Sequence, residues 1–347
     1  MRISARLRSV SFLLACFCFQ CSEADSWVVH SQWEFRVSSP NASASENTKL
    51  DEWRSFDFPG QPAGISGEWL QQRTHLPAVG PGQSLHFLTV DQFVQVFLDG
   101  EPLYGFGDSN SPGNAISSGP TMHLVSLPIV PAGTQLEFRI YSLSENKGLN
   151  GAIRIGPSEE LLLSVLRKEL PALTLSLLYI VGGILFGVAV IAGKRGWDAY
   201  FFAAFMLALG LWSLTQLEIK AVLSRNALLW RWVDLCALFT LPVWIGRFFE
   251  LSFERITAFI VRLFVILHAL YAGIALPLIF TGTVPPEYFF RPLQISMLAF
   301  FATLTVLAFR GGRAGDRDAR LFFLSLVGIL LAGCLDVLVA LGWRDWC

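Results

Sequence analysis

Residues 171–192, PALTLSLLYIVGGILFGVAVIA, contain no charged side chain and are closed by Lys194 and Arg195. Roughly 20 apolar residues, rising about 1.5 Å each, are enough for a helix to cross the hydrocarbon core of a bilayer. Because lipid offers no partners for backbone N–H and C=O groups, this segment is predicted to be a membrane-spanning helix. It divides the chain into a preceding part with strand-like patterning and a following part that is mostly apolar.

The composition indicates a membrane protein with several spans and a water-exposed domain. Of 347 residues, 53% are hydrophobic and only 15% are charged, and the mean hydropathy is +0.51. This apolar share exceeds that of an ordinary globular domain. The net charge is −1, and no basic patch occurs away from the predicted spans, so no nucleic-acid partner is expected.

The cysteine positions argue against disulfides and metal sites in the first domain. Residues 22–168 contain no cysteine, so that domain is expected to be held together by its core. No CxxC or Cys/His spacing suggests a metal site, because the one CxxC, Cys18–Cys21, lies in the N-terminal apolar segment, so neither a metal ion nor a cofactor is predicted. The cysteines lie in the N-terminal apolar segment, in predicted spans and at the last position: Cys16, Cys18, Cys21, Cys236, Cys334 and Cys347.

The N-terminus has the pattern of a secretory signal peptide. Arginines at positions 2, 6 and 8 precede the apolar segment Val10–Phe19, and small residues follow. We predict a signal peptide over residues 1–24, with cleavage after Ala24. A lipoprotein signal with Cys16 as the acceptor is the alternative. Both predict that the following domain is exported.

Residues 25–157 show the period-two alternation of β-strands. In Gln135–Leu143, the residues Leu136, Phe138 and Ile140 share one face, whereas Phe93–Leu98 is apolar on both faces and ends in the turn Asp99–Gly100. The pattern predicts an antiparallel β-sandwich or jelly roll. Its other candidate strands are Trp27–Val37, Trp53–Phe58, Glu68–Thr74, Ser84–Val90, Met122–Val130 and Gly151–Ile155.

A connector helix over residues 158–170 is predicted next. Ser158 can cap it, and Glu159 and Glu160 lie at the positive end of its dipole. We expect Pro171 to restart the helix at the first span. The connector would either carry a ligand-induced shift to the membrane or act only as a tether.

An all-α transmembrane bundle of six spans is predicted over residues 171–347. Arginine and lysine are modestly more frequent in the loops expected inside, which agrees with an exported N-terminus. Gly183 and Gly187 form a small-xxx-small pair that favours close helix packing in the bundle, or dimerisation of the chain. The predicted spans are 171–192, 200–217, 227–248, 256–280, 289–309 and 321–343.

Ionisable residues within spans are costly and therefore informative. Arg231 and Asp234 lie one turn apart in the third span, and Asp336 lies at a comparable depth in the last span. We predict an intramembrane polar cluster of these three residues on the side of the exported domain. It would either fix helix packing or take part in signalling. A proton relay is a weaker third interpretation.

Three exported segments resemble one known family. GEWLQQRTHLP, SLHFLTVDQFVQVFLDGEPLYGFGD and VSLPIVPAGTQLEFRIYS follow one another as in the galactose-binding-like sensor domain of bacterial seven-transmembrane receptors with diverse intracellular signalling modules. The segment ARLFFLSLVGILLAGCLDVLVALGW resembles the sixth span of that family. The resemblance implies a jelly roll that binds carbohydrate or another small ligand. It also implies a seventh span and a cytoplasmic output module, which this sequence does not contain. Either the chain is a fragment, which is the interpretation we favour, or the assigned topology is wrong.

Ligand residues are chosen for stacking on sugar rings and for hydrogen bonding to hydroxyl groups. The same aromatic residues are also typical of sandwich cores and rims. Gly105–Gly119 is the candidate ligand loop, and an ordinary connection is the alternative. The candidates are Trp53, Trp69, Tyr104, Asp108 and Asn110.

The function predicted from these features is a membrane sensory receptor of the bacterial inner membrane, with its N-terminal domain in the periplasm or outside the cell. No GxSxG, HExxH or phosphate-loop motif is present, so no enzymatic activity is expected. Small ligands, membrane lipid and a cytoplasmic output module are the expected partners. The alternative is a transporter or membrane-embedded enzyme with an exported accessory domain, which would need charged residues along a midplane pathway. A carbohydrate-binding module on a simple anchor would need only one span.

Overall fold

The computed structural model describes most of the chain between the first predicted strand and the end of the fifth predicted span. The described residues are 27–28, 32–38, 52–58, 69–89, 93–107, 121–141, 148–193, 196–224, 226–252 and 255–313, with the single positions 323 and 327. The predicted signal peptide and nearly all of the predicted sixth span lie outside these residues.

The N-terminal part is an antiparallel β domain built from two sheets, as the alternation predicted. One sheet has the order β1-β10-β5-β8, and the other has the order β3-β2-β4-β9-β6-β7. The strands are β1 Trp27–Val28, β2 Trp33–Ser38, β3 Arg54–Phe56, β4 Trp69–His75, β5 Gln83–Thr89, β6 Phe93–Leu98, β7 Glu101–Phe106, β8 Thr121–Ser126, β9 Gln135–Tyr141 and β10 Leu149–Pro157.

The core of this domain lies between the two sheets. Leu136, Phe138 and Ile140 of β9 are fully buried, as their alternation predicted. They belong to one hydrophobic cluster with Leu85 of β5 and Val96 of β6, which come from different sheets. Burying apolar surface stabilises such a core by roughly 25 cal/mol per Å². Because its strands are joined through this cluster, the domain needs no disulfide for cohesion.

Two strand predictions differ from the structure. The segment Trp27–Val37 contains two strands, which pair in different sheets, rather than one. The strand β7 was not predicted, although the turn before it was. Asp99 and Gly100 both have positive φ angles, 46° and 86°, and link β6 to β7 as a two-residue hairpin. We did not predict this strand because its proline and glycine residues interrupt the alternation of apolar and polar side chains.

Six helices follow in the described chain: α1 Ser158–Ile191, α2 Trp197–Thr215, α3 Lys220–Leu223, α4 Ala227–Ser252, α5 Arg255–Phe280 and α6 Glu287–Arg313. All of these except the short α3 are long and apolar enough to cross a membrane. The predicted connector and first span form one continuous helix, so Pro171 does not break it. Pro171 is exposed and, because proline has no backbone N–H, it removes one hydrogen bond from the helix.

The chain folds into two compact units. The first contains the β domain, α1 up to Leu177, and the segment Trp212–Asp234, which includes the turn between α2 and α4. The second begins with Leu178–Leu211 and resumes at Leu235. Within the second unit, α4, α5 and α6 share a buried cluster that includes Phe249, Val265 and Phe300.

Candidate functional site

The most polar buried part of the first unit lies where the β domain meets the turn Gln216–Lys220. We call His86, Lys168, Glu169, Glu218 and Lys220 the junction cluster. All five residues belong to the same compact unit. The β domain supplies one of them, α1 supplies two, and the turn with the start of α3 supplies two. The cluster therefore joins three parts of the sequence that are far apart along the chain.

His86 is the β-domain member of the junction cluster. Strand alternation directs Leu85 and Phe87 of β5 into the sandwich core, so His86 points out of the opposite face of the four-stranded sheet. It is nevertheless only 4% exposed. Its Nε2 lies 3.6 Å from Oε2 of Glu218, and neither ring nitrogen has a hydrogen-bond partner among the described residues. The two side chains attract each other when the ring is protonated.

Glu218 is held from two sides. Lys168 of α1 donates a hydrogen bond of 3.1 Å to Oε1, while His86 faces Oε2. Burial alone raises the pKa of Glu218, but the His86 ring and the Lys168 ammonium outweigh it, so this pKa lies below its ordinary value. The carboxylate is therefore ionised at neutral pH and links the sheet to α1.

Glu169 fastens α1 to the turn through the backbone. Its carboxylate accepts the N–H groups of Glu218 and Ile219 at 2.7 and 2.9 Å. Hydrogen bonds to an ionised group are about twice as strong as neutral ones. The side chain is buried, so a movement of α1 along its axis would break both bonds. The turn and α1 are thus expected to move together.

A second polar group follows directly from the turn. Lys220 is buried and donates to the carbonyl oxygen of Thr215. Burial lowers the pKa of Lys220, and the nearby Asp234 carboxylate offsets part of this shift. Asp234 accepts hydrogen bonds from Thr215 Oγ1 at 3.1 Å and Gln216 Nε2 at 2.8 Å. Arg231 Nη1 lies 3.1 Å from its other oxygen.

The structure thus brings together two members of the predicted intramembrane cluster, Arg231 and Asp234. The third, Asp336, lies outside the described residues. Lys220 was not predicted as their neighbour, and His86, Glu169 and Glu218 were not predicted as site residues. Charged residues at the ends of predicted spans were a usable signal for Glu169, Glu218 and Lys220. No signal connected His86 to them, because their contact depends on tertiary structure.

The predicted ligand residues fall on different sides of the six-stranded sheet. Trp69 lies on the outer face, where its ring packs edge-on against Phe93 and Tyr141. The ring of Trp53 lies 3.9 Å from the guanidinium carbon of Arg73, which also points to this face. Tyr104 lies on the inner side, against the core. Asp108 and Asn110 lie outside the described residues.

Tyr104 takes part in a polar group inside the sandwich. Its hydroxyl lies 3.1 Å from His123 Nδ1, and Thr89 Oγ1 lies 3.0 Å from His123 Nε2. The imidazole also stacks on Phe87, with ring centroids 4.8 Å apart. Burial, with a smaller contribution from His86, lowers the pKa of His123 to about 3. His123 is therefore a neutral core residue at physiological pH.

No group of three or more His, Cys, Asp or Glu side chains suited to a metal ion occurs within the described ranges. The chemistry available at the junction cluster is ion pairing and hydrogen bonding between elements. Such an arrangement can transmit or resist a displacement, and it offers no nucleophile with an adjacent base.

The helical region has a recognisable family signature. Residues 198–346 match the family model described as 7TM diverse intracellular signalling. Over these residues the chain is similar to that family. The match agrees with the resemblance found in the sequence and with the apolar helices α2, α4, α5 and α6. The protein is therefore a multi-pass membrane protein with the helical region of a signalling family.

The remaining comparisons give little further information. No curated protein matches this chain. Among solved structures, the crystal structure of Ruminococcus gnavus β-glucuronidase matches with 11% identity and a TM-score of 0.27, covering 39% of this chain and 29% of the enzyme chain. The same enzyme in complex with an N1-substituted uronic isofagomine gives 11% identity, a TM-score of 0.27 and coverages of 39% and 30%. The chain thus spans less than a third of that enzyme, and the likeness is too weak to indicate a shared function.

Proposed function

We propose that this protein is a membrane sensory receptor of the bacterial inner membrane, whose exported β domain binds a small ligand and transmits binding to the helical bundle. The contact of Glu218 with both His86 and Lys168 carries this proposal. One carboxylate, placed in the turn between two membrane helices, touches a strand of the candidate sensor and the helix that leaves it. A shift of that strand would therefore change the forces on the turn. The family of the helical region supports a signalling role.

The mechanism we propose is a population shift between two arrangements of the junction cluster. A ligand can shift such an equilibrium only if it binds the two arrangements with different affinities. Glu169 keeps α1 and the turn together, whereas the pair His86–Glu218 joins them to the sheet by a weaker, longer contact. The weaker contact is the one we expect to change on ligand binding. The output would then be passed to a cytoplasmic module.

We propose carbohydrate as the ligand class, because the β domain resembles a galactose-binding-like sensor domain and contains aromatic candidate residues. The candidate residues fall into two groups. Trp53 and Trp69 belong to the outer face of the six-stranded sheet, whereas Tyr104 would act together with Asp108 and Asn110 of the candidate ligand loop. Alanine substitutions in the two groups, followed by titration with a sugar that stabilises the protein, would distinguish the surfaces.

The decisive experiment measures transmission separately from binding. The full chain would be placed in nanodiscs and screened with a panel of mono- and oligosaccharides for a rise in unfolding temperature. A ligand found in this way should change amide hydrogen exchange in residues 212–234. The variants His86→Ala and Glu218→Gln should keep the ligand affinity but lose most of this change. Glu101→Gln, at an exposed position of β7, is the matched control.

Two results would contradict the proposal. If the ligand changed hydrogen exchange in residues 212–234 equally in the wild type, His86→Ala and Glu218→Gln, the cluster would not transmit binding. Uptake of a ligand into proteoliposomes, abolished by Asp234→Ala, would favour the transporter alternative instead.

A further inference from the structure

A second charged group lies in the other compact unit, at the end of α4 and the beginning of α5. Glu250 of α4 accepts hydrogen bonds from Arg247 Nη1 at 2.7 Å and from Arg262 Nε at 2.6 Å. The Glu250 side chain is 5% exposed, while those of Arg247 and Arg262 are 44% and 57% exposed. One buried carboxylate thus orients two arginines whose other N–H groups are accessible.

The charges of this group do not balance. Two guanidinium groups surround one carboxylate, which leaves one positive charge in excess. Neutralising Glu250 would require only a single arginine. Because Arg262 uses Nε toward Glu250, both of its Nη atoms can bind another anion. Two parallel N–H donors on a planar fork match the geometry of a phosphate group.

The surroundings of Arg262 indicate where that anion comes from. Phe259 and Ile266, three positions before and four positions after Arg262, lie on the same face of α5 and are exposed. On a membrane-spanning helix, exposed apolar side chains of this size contact lipid acyl chains. Arg262 lies one turn inside the candidate span Phe259–Phe280, so its long side chain reaches the level of the lipid headgroups. The anion found at this level is the phosphate of a phospholipid.

The helices α4 and α5 pack closely beside this charged group, and their packing can hold the arginines in place. A Cβ added at Gly246 would lie 2.5 Å from Cγ2 of Val265 and 3.3 Å from Phe300. α4 and α5 therefore approach each other closely at Gly246, which directly precedes Arg247 and lies one turn before Glu250. This contact fixes the distance between the helices that carry the two arginines.

We propose that Arg247 and Arg262, oriented by Glu250, bind the phosphate group of an anionic phospholipid between α4 and α5. The loop that follows α4 is predicted to be cytoplasmic, and the cytoplasmic leaflet carries the anionic lipids. Bound lipid would neutralise the excess charge and hold the ends of the two helices together. The site lies in a different compact unit from the junction cluster and does not depend on the function proposed for it.

The test uses the purified full chain with equimolar phosphatidylglycerol and phosphatidylcholine, and native mass spectrometry reports which lipid remains bound. Wild-type protein should retain phosphatidylglycerol preferentially. Each of Arg247→Gln and Arg262→Gln should weaken this retention about fivefold, the effect of roughly 1 kcal/mol for one basic side chain near the membrane. Arg291→Gln, at an exposed arginine near the start of α6, should leave it unchanged.

Three results would overturn the proposal. The first is equal retention of the two lipids by the wild type, and the second is wild-type retention of phosphatidylglycerol by Arg262→Gln. The third is a loss of retention in Arg291→Gln equal to that in the two site variants, which would indicate diffuse electrostatic attraction. Displacement of the lipid by millimolar inorganic phosphate would assign the site to free phosphate instead. If Arg262→Gln does not give a monodisperse protein, Arg262→Lys carries the test. Lysine keeps the charge but loses the fork, so unchanged retention would contradict a built phosphate site.

Discussion

Nε2 of His86 lies 3.6 Å from Oε2 of Glu218, although 132 positions of sequence and a complete membrane-spanning helix hairpin separate the two residues. His86 belongs to a strand, and Glu218 belongs to a turn between apolar helices. We propose this contact as the place where a change in the β domain acts on the turn.

The first prediction concerns acid stability at the junction cluster. The pKa of Glu218 in the folded protein lies below its ordinary value of 4.5. Its stabilising contribution is therefore present above pH 4.5 and is lost as the pH falls through the lower, folded-state pKa. Glu218→Gln should reduce the free energy of unfolding at pH 7 by about 1–3 kcal/mol. It should also flatten the decrease in stability below pH 4.5, measured by unfolding of the detergent-solubilised chain.

The exposed Glu101 of β7 provides the control for this experiment. Glu101→Gln should leave both the stability at pH 7 and its acid dependence within experimental error. If Glu218→Gln showed the wild-type pH dependence, the carboxylate would not be held by its neighbours.

The second prediction tests the attachment of α1 to the turn. Glu169→Ala removes the acceptor of two partly buried backbone N–H groups, each of which then lacks a protein partner. A loss of about 2–4 kcal/mol is expected, since one unsatisfied buried donor costs about 1–3 kcal/mol. Hydrogen exchange of the Glu218 and Ile219 amides should accelerate. Glu160→Ala, at an exposed position of the same helix, should change neither quantity; unchanged exchange in Glu169→Ala would disprove the attachment.

The third prediction concerns the buried histidine of the sandwich core. The pKa of His123 is lowered to about 3 by burial, whereas its ordinary value in the unfolded chain is about 6.5. Between these values the unfolded chain binds the additional proton, so stability falls as the pH decreases. The expected slope is about 1.4 kcal/mol per pH unit for this group. His123→Gln should reduce that slope in urea unfolding between pH 6 and pH 4.

The comparison for this prediction is His75→Gln. His75 ends β4 and is exposed, so its substitution should leave the slope unchanged. A slope that survives in His123→Gln would mean that another group governs acid unfolding of the β domain.

The fourth prediction separates the two glycines of the predicted small-xxx-small pair. A Cβ at Gly183 would lie 2.9 Å from the backbone oxygen of Ala203, which cannot move aside, whereas nothing lies within 4 Å of a Cβ at Gly187. Gly183→Ala should therefore destabilise packing of α1 against α2 by about 1–3 kcal/mol. Gly187→Ala should be neutral in the same unfolding measurement. Equal losses would instead indicate that Gly187 faces a further partner, such as a second copy of the chain.

Much of the architecture could be predicted because it depends on local patterns. Gln135–Tyr141 alternates with a period of two, and burial of Leu136, Phe138 and Ile140 follows from that period alone. The uncharged residues 171–192 must be helical in lipid for the same local reason. Arg231 and Asp234 are one helical turn apart in the sequence, and their side chains lie 3.1 Å apart in the structure. The hairpin at Asp99–Gly100 follows from the turn preference of these two residues.

The junction cluster required the tertiary structure. His86 has the sequence context of an ordinary solvent-facing strand residue, and Glu218 that of an ordinary loop carboxylate. They meet because the outer face of a sheet packs near a turn more than a hundred positions away, and local periodicity carries no information about such distances. Similarly, Glu250 accepts hydrogen bonds from Arg247 of its own helix and from Arg262 of the next helix. The sequence by itself determined the two kinds of segment, sheet and membrane helix, since each obeys a short-range rule. Only the tertiary structure decided which charges meet, because ion pairs between elements depend on packing in three dimensions.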